Sequence, residues 1–220
     1  MGDSEVSVYG LTPSPGAGPR APVFFTNPLF WVAVAVVLRA AFAVFLGDRL
    51  YQADEYGYTE AARSLAASGS YAFQGEPLIG APGASIFFSL FFLLSDGFFG
   101  PRFAQAGLSA ATAWMLGRLT RAATGSERAG LLATAAAALY PFFVYYSGIL
   151  MSETLYLAAL VAGLWALVPS LDERGRHAPR AAAAGAAFAA AGLIRTEGVA
   201  IAFVLGAALA LLCSRRRYAW

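Results

Sequence analysis

Residues 129–169 read AGLLATAAAALYPFFVYYSGILMSETLYLAALVAGLWALVP, and this stretch decides the fold class. Two apolar runs, 129–146 and 153–169, flank a short polar hinge, and each run approaches the roughly 20 residues that a helix needs to cross a bilayer. The whole chain follows the same pattern: of 220 residues, 59% are hydrophobic and 13% are charged, against about 45–50% and about 25% in soluble domains. The sequence therefore predicts a multi-pass helical membrane protein and argues against an ordinary soluble enzyme.

Seven apolar runs are spread along the chain. Their interiors are rich in Ala and Gly, which permits close packing of membrane helices. The run 84–99 is rich in Phe, which suits a helix that lies in the membrane interface. We therefore predict an all-α, polytopic membrane helical bundle with about six spans plus one juxtamembrane helix. The seven runs are 29–47, 84–99, 103–117, 129–146, 153–169, 181–194 and 198–213.

The two ends of the chain differ in composition from the apolar module at 29–213. Residues 1–28 are rich in Pro, Gly and Ser and lack periodicity, which predicts a flexible cytoplasmic tail and not a cleaved signal peptide. Residues 214–220 contain three consecutive arginines and are predicted to form a basic cytoplasmic tail.

The arginines predict the orientation of the module in the membrane. Nine of the 15 basic residues, all of them Arg, fall in 118–128, 170–180 and the C-terminal tail, and the positive-inside rule places such segments in the cytoplasm. The hinge at 145–153 and the turn at 195–197 are then external. If run 84–99 crosses the membrane, the preceding loop is cytoplasmic; if that run lies in the interface, the loop is external. We favour the second arrangement, an external loop at 48–102 with in-plane helices, because it collects the acidic residues on one side.

Composition also argues against two kinds of site. Cys213 and His177 are the only residues of their types, so the chain has neither a disulfide framework nor a His/Cys metal site. The arginines are spread over separate loops and form no basic stripe, which argues against nucleic acid as a partner.

One charged residue falls inside a predicted span. Arg39 lies in the middle of run 29–47, where an ionisable group is costly and usually pairs with groups inside a helical bundle. We expect Arg39 to face the bundle interior.

Asp54 and Glu55 follow the first span, in a segment where Asp54 and Tyr58 share one face of a predicted short helix. Two interpretations remain open for this pair. The acids can be a solvated helix start, favoured by the positive end of the helix dipole. Alternatively, a carboxylate base at the membrane surface takes a proton from an acceptor hydroxyl.

Two further groups of polar residues lie at predicted external turns. Glu153 begins a span after interruptions at Pro141 and Gly148. It is either part of a helix start capped by Ser152 or an acid that orients substrate or holds a metal ion. Arg195 and Glu197 lie between the last two spans. They are either residues of a helical hairpin whose charged side chains snorkel to the membrane surface, or a site in which the planar guanidinium of Arg195 binds a phosphate.

Four segments occur in order along the chain: DEYGYTEAARSLAASGSY (54–71), GEPLIGAP (75–82), ALYPFFVYYSGILMSETLYLAALVAGLWAL (138–167) and AAAGLIRTEGVAI (189–201). Together they resemble the membrane GT-C glycosyltransferases, in particular the dolichyl-phosphate-mannose-protein mannosyltransferase and aminoarabinose transferase group. The resemblance covers about residues 29–213. It implies an enzyme that takes a sugar from a polyprenyl-phosphate carrier at the external face of the plasma membrane, the inner membrane of a bacterium.

The resemblance also implies roles for individual residues. Asp54 matches the catalytic base, with Glu55 beside it as a second catalytic candidate. Glu153, Arg195 and Glu197 match substrate-binding positions, and Tyr58 joins them because it shares the face of Asp54. The implied partners are a polyprenyl-phosphate-linked sugar, a lipid, glycan or protein acceptor, the bilayer, and a partner chain that supplies further C-terminal spans.

One motif of the group departs from its usual pattern here. Where the group carries an acid or a His before its prolines, this chain reads Gly80-Ala81-Pro82-Gly83, so no cofactor is certain and a divalent metal ion is left open. The chain also resembles only the N-terminal module of the group. The alternative function is therefore a non-catalytic or truncated GT-C-like membrane module that acts as a subunit of a larger assembly.

Overall fold

The computed structural model describes residues 23–167 and 178–205, and helices make up nearly all of their regular structure. This confirms the all-α prediction for the described residues, with one small hairpin of Ala72–Phe73 against Glu76–Pro77. The predicted tail at 214–220 and most of the tail at 1–28 lie outside the described residues. After a 3-10 turn at Val23–Thr26, the helices are α1 Pro28–Leu46, α2 Ala53–Ser68, α3 Gly83–Phe92, α4 Phe99–Thr124, α5 Glu127–Leu139, α6 Pro141–Gly148, α7 Ser152–Leu167, α8 Ala178–Ile194 and α9 at 197–205.

Helix α1 has the length and composition that a membrane span requires. It has 19 residues, an Asn27 cap and Pro28 in its first turn, and within residues 23–167 and 178–205 it is the one single helix that is both long and apolar enough to cross a bilayer. Helices α5 and α6 would make a second span if they are counted as one bent pair. The described helices thus match one or two of the six predicted spans by length and composition.

The bend between α5 and α6 measures 51° and has a local cause. Pro141 begins α6, and a proline disfavours the helical conformation of the residue before it. Tyr140 accordingly takes an extended conformation, with φ −62° and ψ 118°. The interruption that the sequence predicts at Pro141 is therefore present.

The Phe-rich run at 84–99 is shorter as a helix than the sequence predicts. Helix α3 ends at Phe92, and α4 begins at Phe99 after a break that contains Ser95-Asp96-Gly97. The side chains of Phe88, Phe92 and Phe98 are buried in one apolar cluster with residues of α2 and α7. Helices α2 and α3 thus form a short layer that packs on the start of α4 and of α7.

Arg39 lies inside the helical bundle, as the sequence predicts. Its side chain is completely buried, and its Nε donates to Ser109 Oγ at 2.8 Å. The remaining donors reach backbone carbonyls: Nη1 contacts those of Ala35 and Ala138 at 3.2 and 2.9 Å, and Nη2 contacts that of Ala137 at 2.9 Å. A buried guanidinium that is satisfied in this way ties α1 to α4 and α5.

Candidate functional site

The start of α2 carries two acids with different surroundings. Asp54 is exposed, whereas Glu55 has no exposed side-chain surface. Adjacent residues on a helix point about 100° apart, so one faces the solvent and the other faces the protein. Only Asp54 is therefore available to a substrate at this point of the chain.

Glu55 is bound on every side by the protein. Its Oε2 accepts the backbone N–H groups of Tyr51 and Gln52, at 2.7 and 2.9 Å. Its Oε1 accepts the N–H of Leu150 at 2.9 Å and lies 3.5 Å from Arg102 Nη2. The catalytic role of Glu55 stays a prediction, and within the described residues its buried carboxylate is already engaged by three backbone N–H groups and Arg102.

Arg102 is the buried partner of Glu55 and was not singled out by the sequence. Its Nε donates to the carbonyl of Gly148 at 2.9 Å, and its two terminal nitrogens donate to the carbonyls of Gly47 and Arg49. A cation in the first turn of a helix is disfavoured by the helix dipole. A lone arginine between the apolar runs 84–99 and 103–117, at the start of a predicted helix, was the signal in the sequence that could have identified it.

The hinge between α6 and α7 is held by side chains from α2 and α4. The carbonyl of Ile149 accepts from Gln105 Nε2 at 2.8 Å. On either side of it, the carbonyl of Gly148 accepts from Arg102 and the N–H of Leu150 donates to Glu55. A non-helical backbone at membrane depth is tolerated where protein groups satisfy it. The buried pair therefore fixes the hinge that leads into Glu153.

Five of the six predicted site residues line one cavity of about 450 Å³. They come from the start of α2, the start of α7, and the end of α8 with the turn that follows it. These residues, far apart in sequence, therefore line one common space. The five are Asp54, Tyr58, Glu153, Arg195 and Glu197, and the cavity is also lined by Tyr71, Gly80, Ala81, Met151, Ile194 and Thr196.

Arg195 is the centre of the polar network in this cavity. Its Nη1 lies 3.1 Å from Glu153 Oε1, and its Nη2 lies 3.4 Å from Glu197 Oε1. Nη1 also approaches Ser152 Oγ at 3.4 Å, and that hydroxyl accepts from Tyr58 at 3.2 Å. The sequence suggested Ser152 only as a helix cap, but the structure makes it the link between the Arg195 network and α2.

The hydrogen bonds of this network shift two pKa values. The hydrogen bond to Glu197, together with the nearby charge of Glu153, raises the pKa of Arg195 despite some burial. The backbone N–H of Glu197 and the Arg195 guanidinium lower the pKa of the Glu197 carboxyl. Both groups are therefore charged at neutral pH, and the ion pair persists as the pH falls to below the ordinary glutamate range.

Glu153 has one engaged and one unengaged carboxylate oxygen. Oε1 pairs with Arg195, while Oε2 is buried and has no hydrogen-bond partner within residues 23–167 and 178–205. Glu153 also lines a second, largely apolar cavity of about 230 Å³ together with Phe142, Phe143 and Leu157. It therefore lies between a polar cavity and an apolar one.

A glycine brings the 80–83 segment to the cavity. A Cβ on Gly83 would lie 2.8 Å from the backbone N of Ile194 and 2.8 Å from the carbonyl carbon of Leu193. Only glycine permits this contact between the start of α3 and the end of α8. Gly80 and Ala81, just before this contact, line the same cavity as Arg195.

The described residues do not fit a resident metal ion. Among them, no group of three or more His, Cys, Asp or Glu side chains is arranged to hold one. The carboxylates of Glu153 and Glu197 that line the cavity are both engaged by Arg195. We therefore derive no step of the reaction through a metal.

Comparison with known protein families gives one match. A profile described as dolichyl-phosphate-mannose-protein mannosyltransferase matches residues 77–220. This range contains Glu153, Arg195 and Glu197, and it begins after Asp54. No curated protein and no solved structure gives a significant match.

Proposed function

The chain belongs to the dolichyl-phosphate-mannose-protein mannosyltransferase family, a family of membrane glycosyltransferases that use a dolichyl- or polyprenyl-phosphate sugar donor. From this premise we propose that it transfers a sugar from a polyprenyl-phosphate carrier to an acceptor hydroxyl at the external membrane face. Asp54 is the base in this proposal, and Arg195 binds the phosphate of the donor.

The convergence of Asp54 and Arg195 on one cavity carries the proposal. The two residues are 141 positions apart in the chain, yet both line the same space of about 450 Å³. A volume of 300 Å³ or more is typical of small-molecule sites. A sugar and its phosphate can therefore lie between a carboxylate at one wall and a guanidinium at the other.

Asp54 performs the acceptor half of the proposed reaction. It is exposed at the first turn of α2 and takes the proton of the acceptor hydroxyl. The hydroxyl oxygen forms a bond to the anomeric carbon, and the bond from that carbon to the phosphate oxygen breaks. The polyprenyl phosphate leaves with the electron pair, and Asp54 later releases its proton to water.

Arg195 performs the donor half. In the structure its two terminal nitrogens contact Glu153 and Glu197, so a phosphate that binds this edge of the guanidinium competes with both carboxylates. Glu197 is the weaker partner, with a contact of 3.4 Å against 3.1 Å and a side chain 61% exposed against 31%. We therefore assign Glu197 as the counter-ion that the donor phosphate displaces.

Glu153 and Tyr58 complete the substrate contacts. The unengaged Oε2 of Glu153 can accept a hydrogen bond from a sugar hydroxyl while Oε1 holds Arg195. The apolar cavity on the other side of Glu153 suits the first isoprene units of the carrier. Tyr58 holds Ser152 and lines the wall beside Asp54.

The proposal includes the six-span topology and the external position of this cavity. The support is the distribution of arginines, which cluster in 118–128 and 170–180, because the positive-inside rule places such segments in the cytoplasm. The cavity then opens to the opposite side. The sugar donor, the acceptor and the reaction all belong to the external leaflet.

A matched pair of substitutions tests the proposal. Asp54→Asn removes the carboxylate at an exposed position, and loss of a positioned base typically lowers the rate about 10²–10⁴-fold. Glu60→Gln, an exposed residue of the same helix that does not line the cavity, is the control and should keep wild-type turnover. The assay measures transfer from radiolabelled polyprenyl-phosphate sugar in membranes, normalised to protein level. Equal turnover of the two variants contradicts the assignment of Asp54, and an inactive wild type favours the non-catalytic subunit.

A further inference from the structure

A third cavity, of about 310 Å³, lies between the start of α1, the end of α4 and the start of α5. Three arginines line it, Arg118, Arg121 and Arg128, together with Trp114 and one acid, Glu127. None of these residues takes part in the proposed transfer reaction. The cavity is therefore a separate feature that needs its own explanation.

This cavity is at the opposite end of the helices from Asp54. It is lined by Pro28, the first residue of α1, whereas the carbonyl of Gly47, just after α1, contacts the Arg102–Glu55 pair. The 19 residues of α1 give a length of about 28 Å at 1.5 Å per residue. Because a bilayer core is about 30 Å thick, the two cavities face opposite membrane surfaces.

The charges of the two cavities are also opposite. The described lining of the Asp54 cavity contains three carboxylates and one guanidinium, whereas this lining contains three guanidiniums and one carboxylate. Arg121 Nε pairs with Glu127 at 2.9 Å. Arg118 lies over the Trp114 ring at 5.9 Å, and no acidic residue of the described chain pairs with Arg118 or Arg128. Arg118 and Arg128 thus line one concave space without an acidic partner among the described residues.

Close helix packing keeps this space open. A Cβ on Gly117 would lie 2.8 Å from the carbonyl oxygen of Gly130, and a Cβ on Gly130 would lie 2.8 Å from the carbonyl oxygen of Gly117. Helices α4 and α5 therefore touch backbone to backbone at this level and cannot move closer. The arginines and Trp114 surround a preformed cavity, which is the usual condition for a ligand site.

We propose that this cavity binds the phosphate of an anionic phospholipid in the leaflet opposite the transfer site. Arg118 and Arg128 bind the phosphate, since a guanidinium matches its geometry. Trp114 and the apolar residues of the lining, among them Leu131 and Pro28, contact the glycerol and the first methylenes. The proposal rests on the position of α1 in the membrane and does not depend on the transfer chemistry.

The test compares lipid retention by single arginine variants of the full chain. Wild type, Arg118→Gln, Arg128→Gln and the control Arg180→Gln are purified in detergent and titrated with phosphatidylglycerol or phosphatidylcholine, with bound lipid counted by native mass spectrometry. Arg180 is exposed near the start of α8, 15 residues from Arg195, and does not line the cavity. All three arginines are exposed, so loss of folding is not expected, and circular dichroism checks it.

A defined site and a diffuse surface charge give different results. A hydrogen bond to a charged group corresponds to about tenfold or more in affinity, so each cavity variant should bind phosphatidylglycerol about tenfold more weakly. Arg180→Gln should stay within about twofold of wild type, and phosphatidylcholine should bind weakly to all four proteins. Diffuse attraction gives each surface arginine a similar effect, so an equal loss in all three variants overturns the proposal.

A soluble competitor separates the two sources of a phosphate. Glycerol 1-phosphate carries the same phosphate but lacks the acyl chains that would contact the apolar lining. It should leave phosphatidylglycerol bound at millimolar concentration. If millimolar glycerol 1-phosphate displaces the bound phosphatidylglycerol, the phospholipid assignment is overturned in favour of a soluble phosphate.

Discussion

Replacement of Glu55 by Gln should destabilise the protein strongly, although it only exchanges one carboxylate oxygen for an amide NH₂ group. The carboxylate accepts three backbone N–H groups and pairs with a fully buried Arg102. The amide has one acceptor oxygen, so at least one buried N–H group faces a donor, and Arg102 loses its counter-charge. Removal of one partner from a buried ion pair costs about 3–5 kcal/mol. Glu60→Gln makes the same change at an exposed position of the same helix and should cost less than about 0.5 kcal/mol.

The assay for this prediction is thermal unfolding in detergent, followed by the loss of the monodisperse peak in size-exclusion chromatography. For a chain of this size, about 1 kcal/mol corresponds to roughly 2–4 °C, so Glu55→Gln should lower Tm by roughly 6–20 °C. The reasoning is refuted if Glu55→Gln melts like Glu60→Gln. If that variant is also inactive, Glu55 acts in the chemical step, as the family resemblance alone would suggest.

Four other predictions concern topology, packing and charge. In a cysteine-free background, Ser70→Cys should react with an impermeant thiol reagent in intact cells and Thr124→Cys should not; the reverse pattern contradicts an external transfer site. Gly83→Ala forces α3 and α8 apart at a cost of about 1–3 kcal/mol and should reduce turnover, whereas Gly57→Ala, with nothing within 4 Å of the added atom, should not. Glu197→Gln removes the competing counter-ion and should lower the KM for the donor; an unchanged or higher KM contradicts displacement. The carboxyl of Glu197, whose pKa is lowered by its hydrogen bonds, should titrate in a carbon NMR experiment below the ordinary glutamate range, so its ion pair is lost only in stronger acid.

Local patterns in the sequence predicted much of the fold. The interruption at Pro141 follows from the missing N–H and the preference of the preceding residue, and it appears as the 51° bend. The short helix after the first span follows from apolar spacing and appears as α2. The burial of Arg39 follows from its depth in an apolar run, and the structure satisfies it with one hydroxyl and three carbonyls.

Features that depend on long-range contacts were not predicted. The sequence analysis grouped Glu55 with Asp54 because they are neighbours in the chain. The buried position of the Glu55 carboxylate instead depends on its contacts with Arg102, 47 residues away, and with the N–H of Leu150. Ser152 was interpreted as a cap because hydroxyls favour that position. In the structure its oxygen accepts hydrogen bonds from Tyr58 of α2 and from Arg195 in the turn after α8. Periodicity describes which face of a helix is apolar and not which distant side chain will lie against it.

The central assignment is that Asp54 acts in the chemical step and Arg195 binds the donor within one cavity. Single-turnover transfer from pre-bound radiolabelled polyprenyl-phosphate sugar tests it directly, because donor binding and chemistry are measured in the same sample. For Asp54→Asn, we expect a donor Kd within about twofold of wild type and a transfer rate lower by about 10²–10⁴-fold. Transfer at the wild-type rate, or loss of donor binding in place of loss of rate, would contradict the account.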